Sequence, residues 1–94
     1  MGLKSCKIIY DALPDDKKQV AIRLLKKYIS AKETRLIRTE IKKAPVHWFA
    51  KYHFYWGMYI RNVLRDNGMG EKYFGIKNLD DIYVELVEGA VKEN

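Results

Sequence analysis

Few side chains in this chain of 94 residues are of types that perform chemistry, and their spacing favours recognition over reaction. His47 and His53 lie six residues apart, about 120° from each other on a helix, so they cannot share a metal as an i, i+4 pair does. The one cysteine, Cys6, excludes an internal disulfide and a cysteine-based zinc site. It falls on an apolar helical face with Leu3, Ile9, Tyr10 and Leu13, where a buried structural thiol is expected. No Gly-rich phosphate loop follows a strand, no carboxylate pair sits in a cleft pattern and no Ser/His/Asp set assembles. No catalytic residue, metal or cofactor is expected, and the protein reads as a non-enzyme.

The chemistry that remains is electrostatic. The net charge of +6 is unevenly placed: residues 1–45 carry twelve Lys/Arg against five carboxylates, a net +7, and residues 46–94 carry −1. A partner bearing phosphates or carboxylates would be steered to the N-terminal half. No apolar run approaches the ~18 residues of a membrane span, and the N-terminus lacks the apolar core of a signal peptide. A membrane partner is not expected, and the expected location is cytoplasmic.

The elements that must position these charges have helical rather than strand periodicity. One all-α domain over residues 1–94 is expected, with about five helices around a long central aromatic helix. Helix one runs from about Leu3 to Ala12 and ends before Pro14, because the residue preceding a proline is pushed out of the α region. Helix two starts at Pro14, with Asp15 and Asp16 meeting the positive end of its dipole. Ser30-Ala-Lys-Glu33 is a capping box, so helix three restarts near Ala31. On helix three Ile37, Ile41 and Ala44 form a narrow apolar stripe, and Lys32, Arg35, Arg38, Lys42 and Lys43 fall on the opposite half. Arg23, Lys26 and Lys27 of helix two extend this cationic face.

Pro45 opens the central helix, which the pattern carries over about 46–66 to a stop at Asn67-Gly68. Met69 to Lys77 reads as a loop pinned by Tyr73, Phe74 and Ile76, and Asn78 caps the last helix. In the central helix Phe49, His53, Trp56, Gly57, Ile60, Val63 and Leu64 share one face. Trp48, Tyr52, Tyr55 and Tyr59 form a second stripe at i, i+4, i+7 and i+11. Gly57 costs about 1 kcal/mol relative to alanine in mid-helix, which marks it as the point where another element crosses. His53 is expected as a hydrogen-bonded core residue, Arg61 as an internal clamp to a carboxylate such as Asp81 or Glu85, and Asn62 as pointing away with Lys51 and Arg65.

The run His53-Phe-Tyr-Trp-Gly-Met-Tyr-Ile-Arg-Asn62, with Tyr73-Phe-Gly-Ile76 and Asp80-Asp81, resembles a family of small uncharacterised bacterial and phage proteins. That family carries a His-Phe-Gly-Xaa-Gly-Xaa-Xaa-Ile-Arg-Asn motif. The chain departs from it at Tyr55, where the family usually has glycine, and after Asn62. The resemblance implies a shared helical fold with His53, Phe54, Gly57, Ile60, Arg61 and Asn62 at hallmark positions, and it implies no reaction. Arg61-Asn62 also resembles the opening of the HEPN ribonuclease motif, but Arg65, Asp66 and Asn67 stand where that motif needs its histidine, which excludes it.

Two functions are therefore carried forward. The first is contact with nucleic acid or a nucleoprotein through Arg23, Lys26, Lys27, Lys32, Arg35, Arg38, Lys42 and Lys43. A helix-turn-helix reader is disfavoured, since Ile29-Ser30-Ala31 has no glycine-containing turn of the usual length. The alternative is a protein-interaction or small inhibitor module that binds an acidic protein surface or another copy of itself, anchored by Trp48, Tyr52, Tyr55 and Tyr59.

Overall fold

The computed structural model describes residues 8–92, so the expectations for Leu3 and Cys6 lie outside the described residues. Within them the architecture is all-α. Residues 8–11 form α1, followed by α2 (Asp15–Tyr28), α3 (Ala31–Lys43), a 3-10 turn (Trp48–Lys51) and a π-helical turn (His53–Gly57). The chain continues through α4 (Met58–Asp66), α5 (Glu71–Phe74), a second 3-10 turn (Leu79–Asp81) and α6 (Tyr83–Lys92).

The helix boundaries follow local chemistry. Pro14 is the N-cap rather than the first helical residue, so α2 starts one position later than expected, with Asp15 and Asp16 in the first turn. At the α2–α3 corner the capping box is complete: the Glu33 amide donates to Ser30 Oγ at 3.1 Å, and the Ser30 amide donates to Glu33 Oε1 at 2.9 Å. At the end of α4, Asn67 Nδ2 donates to the Val63 carbonyl at 2.8 Å, and Gly68 turns the chain with φ of 77°. That backbone conformation is strained for residues with a Cβ.

Two features differ from the sequence expectation. The stretch expected as one α-helix over 46–66 changes pitch twice, and the Gly57 amide bonds to the Tyr52 carbonyl at 2.8 Å, five residues back. The wider turn brings Tyr52 and Trp56 together beside Ile37, and His53 and Gly57 together beside Tyr83. The most enclosed element is not this stretch but α6, which packs against both α2 and α3. Tyr83, Val84, Leu86, Val87, Ala90 and Val91 are all buried, and only Glu85, Glu88, Gly89 and Lys92 of α6 keep contact with solvent. The aromatic stretch is amphipathic and keeps an outward side.

The core runs continuously from Leu13, Ala21, Ile22, Leu25 and Ile29 through Ile60, Val63 and Leu64 to Leu79, Ile82 and α6. α2 and α6 approach closely because Gly89 leaves room. A Cβ there would sit 2.8 Å from Ile22 Cδ1. The segment expected as a loop, 69–77, contains the short α5, with Phe74 buried and Tyr73 and Ile76 against the core. Lys17 ties it to α2, its ammonium 4.8 Å from the Tyr73 ring centroid and donating to the Tyr73 carbonyl.

Arg65 closes the α4–α5 junction by donating to Glu71 Oε2 at 2.8 Å and Oε1 at 3.3 Å. This hydrogen bonding from Arg65 lowers the Glu71 carboxyl from 4.5 to about 2. Because the folded-state value is depressed, the stabilisation is complete above the unfolded carboxylate's range and lost as pH falls from 4.5 toward about 2. Glu71→Gln should therefore cost under ~1 kcal/mol in urea denaturation at pH 7, the size of a partly exposed pair, and almost nothing at pH 2. An equal cost at both pH values would contradict the assignment.

Candidate functional site

Three places in the fold gather the residues with functional potential. The first is a polar cluster inside the fold. Tyr83 is the largest fully buried side chain, and its hydroxyl lies 2.7 Å from His53 Nδ1. A Cβ added to Gly57 would lie 2.7 Å from that hydroxyl, so Gly57 is the point where α6 crosses the aromatic stretch. The buried Arg61 guanidinium sits 5.0 Å from the Tyr83 ring centroid and bonds to Asp80 Oδ1 at 3.1 Å. The clamp forms, but to Asp80 rather than Asp81 or Glu85, because the 3-10 turn over Leu79–Asp81 directs Asp80 toward α4. Its Nη1 is buried without a hydrogen-bond acceptor, and the Tyr83 π-face supplies the compensating attraction.

Burial pushes the Tyr83 phenol up to about 12, against the opposing pull of the adjacent Arg61 cation. The hydroxyl therefore stays protonated across ordinary pH. Arg61 offers only donors to the cluster, which favours the tyrosine proton pointing at His53 Nδ1. The Tyr83 hydroxyl, His53 Nδ1, Arg61 Nε and Asp80 Oδ1 are engaged with one another across these elements. Among the described residues, no three of His, Cys, Asp and Glu converge closely enough to hold a metal ion.

The second place is the cationic face. On α3 the two carboxylates turn to one flank: Glu33 Oε2 accepts from Trp56 Nε1 at 2.9 Å, and Glu40 pairs with Lys51 at 3.6 Å. The cations turn to the other flank and to solvent. Lys26, Thr34, Arg35 and Arg38 line one open depression between α2, α3 and Ala90 of α6, and Arg38, Lys42 and Lys92 line the next one together with Glu88 and the apolar Ile41, Pro45 and Val91. Arg38 is half-buried and oriented by Nε donation to the Val91 carbonyl. Arg23, Lys27, Lys32 and Lys43 are exposed around these depressions. Among the described residues, no carboxylate forms an ion pair with Arg23, Lys26, Lys27, Lys32, Arg35, Lys42 or Lys43.

The third place is the aromatic stretch, where the expected stripe of Trp48, Tyr52, Tyr55 and Tyr59 does not exist as one surface. Trp48 is core, 2% exposed, and donates from Nε1 to Glu88 Oε2 at 2.8 Å. Tyr52 is half-buried, whereas Tyr55 and Tyr59 are exposed. The changing pitch breaks the α-helical register that joined these four positions. The outward side is instead built by Phe54, Tyr55, Met58 and Tyr59. Of the hallmark positions of the sequence motif, His53, Gly57, Ile60 and Arg61 face the fold, while Phe54 and Asn62 face outward.

Thr34, Met58 and Tyr83 were missed as functional or organising residues. The glycine at 57 was the one signal pointing to Tyr83, since a crossing point needs something to cross it. Comparison of the chain with family models, curated protein sequences and solved structures gave no match.

Gly57→Ala should destabilise the fold by about 1–3 kcal/mol through overpacking against Tyr83, despite the ~1 kcal/mol helix preference for alanine. The penalty should shrink in a Tyr83→Phe background, where the nearest clashing atom is gone. Thermal denaturation of the double-mutant cycle checks this, and an additive pair would contradict the crossing.

Proposed function

We propose that the protein is a non-catalytic module that grips the phosphate backbone of nucleic acid, free or within a nucleoprotein, through the cationic face of α2 and α3. The supporting observation is the segregation of charge on these two helices. Lys26, Arg35 and Arg38 gather around one depression with the Thr34 hydroxyl, while Glu33 and Glu40 are engaged on the opposite flank by Trp56 and Lys51. A solvated helix with interspersed charges would show no such division.

The geometry suits a backbone more than base edges. Lys32 to Lys42 spans about 15 Å of helix axis, the axial rise of roughly four to five phosphate steps on one strand. The cations are distributed along this length rather than focused at a single helix end, so contacts position a strand without reading its sequence. Arg38 is already oriented by Val91, which lowers the ordering cost of one contact. Exposed Lys27, Lys32 and Lys43 give long-range attraction that salt screens.

Fluorescence anisotropy with labelled random-sequence duplex and single strand tests the reading. With five to eight phosphates neutralised, affinity should fall by about a thousandfold or more between roughly 50 and 200 mM salt. Lys26→Glu combined with Arg35→Glu should abolish binding at moderate salt, whereas the distant Lys77→Glu should leave it near wild type. Absence of binding to either strand form at low salt would overturn the proposal, as would binding insensitive to salt.

A further inference from the structure

Phe54, Tyr55, Met58 and Tyr59 stand at i, i+1, i+4 and i+5 on the outward side of the aromatic stretch, and remain 73%, 86%, 49% and 44% exposed. No charged residue interrupts them. Of the charges at either end, Lys51 pairs with Glu40 at 3.6 Å and Arg65 with Glu71 at 2.8 Å, and the exposed Asp66 closes α4. Asn62, next along the helix, accepts from Arg65 Nη1 at 3.3 Å. The quartet is thus an apolar surface whose rim cations are both paired, on a chain of net charge +6.

That charge pattern selects the partner. An acidic protein or a polyanion gains nothing here, because the neighbouring cations already have carboxylate partners. A surface of the same kind, apolar and electrically balanced, meets it without repulsion or unpaired charge. We propose that the quartet is a self-association surface on which a second copy of the chain docks face to face, each copy contributing the same four side chains. Two copies at +6 repel each other as whole chains, and the paired cations at this face add little to that repulsion.

The available area sets the strength. Large aromatic side chains offer about 150–250 Å² each, so the exposed parts of the quartet amount to roughly 500 Å² per copy and about 1,000 Å² for the pair. This is the low end for a specific interface and corresponds to a concentration-dependent dimer, not an obligate one. The carboxylate-bearing flank of α3 faces Trp56 and Lys51, so the cationic flank of α2 and α3 stays open in such a dimer. The inference stands independently of the nucleic-acid reading.

Sedimentation velocity across about 10 µM to 1 mM, at low and high salt, tests it. A monomer–dimer equilibrium is expected, and it should tighten as salt rises, because salt screens the repulsion between two cationic chains while leaving the apolar contact intact. Tyr55→Glu and, separately, Phe54→Lys should weaken dimerisation at least tenfold, with far-UV circular dichroism and melting unchanged because both side chains are exposed. The proposal is overturned by a monomer at every concentration, by a dimer insensitive to both substitutions, or by one that dissociates as salt rises. It is equally overturned if the substitutions weaken oligonucleotide binding by a monomeric protein, which would make the quartet a base-stacking surface.

Discussion

The passage of Tyr83 across Gly57 is the contact on which the rest of the fold depends. A ring as large as tyrosine reaches full burial on α6 only because the opposing backbone carries no side chain there. Its hydroxyl then needs a partner, which His53 supplies, and its face accepts the Arg61 cation that Asp80 holds from the other side. Tyr83, His53, Arg61 and Asp80, from four elements of the fold, are thereby fixed relative to one another. Two indoles extend the same principle outward, each burying ring area while its N–H is satisfied by a glutamate: Trp48 with Glu88 on α6, and Trp56 with Glu33 on α3.

This internal use of carboxylates shapes the surface. Glu33, Glu40 and Glu88 are all engaged with Trp56, Lys51 or Trp48, within the aromatic stretch and its leading 3-10 turn. Arg23, Lys26, Lys27, Lys32, Arg35, Lys42 and Lys43 consequently face solvent without matching acids, whereas Lys17 ties α2 to Tyr73, Lys18 pairs with Asp15 and Arg38 helps anchor α3 to α6. Folding itself separates the charges that the sequence interleaves. The open cationic depressions and the exposed aromatic quartet are built from separate elements, α2 and α3 on one hand and residues 54–59 on the other.

Much of this was legible in the sequence wherever a local rule decides. The capping box at Ser30 and Glu33, the acidic first turn after Pro14 and the Asn67-Gly68 stop all follow from backbone chemistry over a few residues. Gly57 announced a crossing because glycine in mid-helix carries a cost that needs a reason. What was not legible depends on pitch and on contacts distant along the chain. A π-helical turn cannot be recognised from α-helical periodicity, so Trp48 was grouped with Tyr55 and Tyr59 although it belongs to the core. The choice of Asp80 over Asp81 for Arg61 hinges on a single 3-10 turn. Gly89 gave no comparable warning, since its role appears only when Ile22 is placed beside it.

The cationic face of α2 and α3 is tested most directly by amide chemical-shift mapping of the isotope-labelled protein titrated with a short random-sequence oligonucleotide at low salt. The expected result is a contiguous set of perturbed amides over Lys26 to Lys42, with Met58 to Arg65 unmoved. Perturbations confined to the aromatic stretch, or none at saturating oligonucleotide, would contradict the assignment of this face as the site of action.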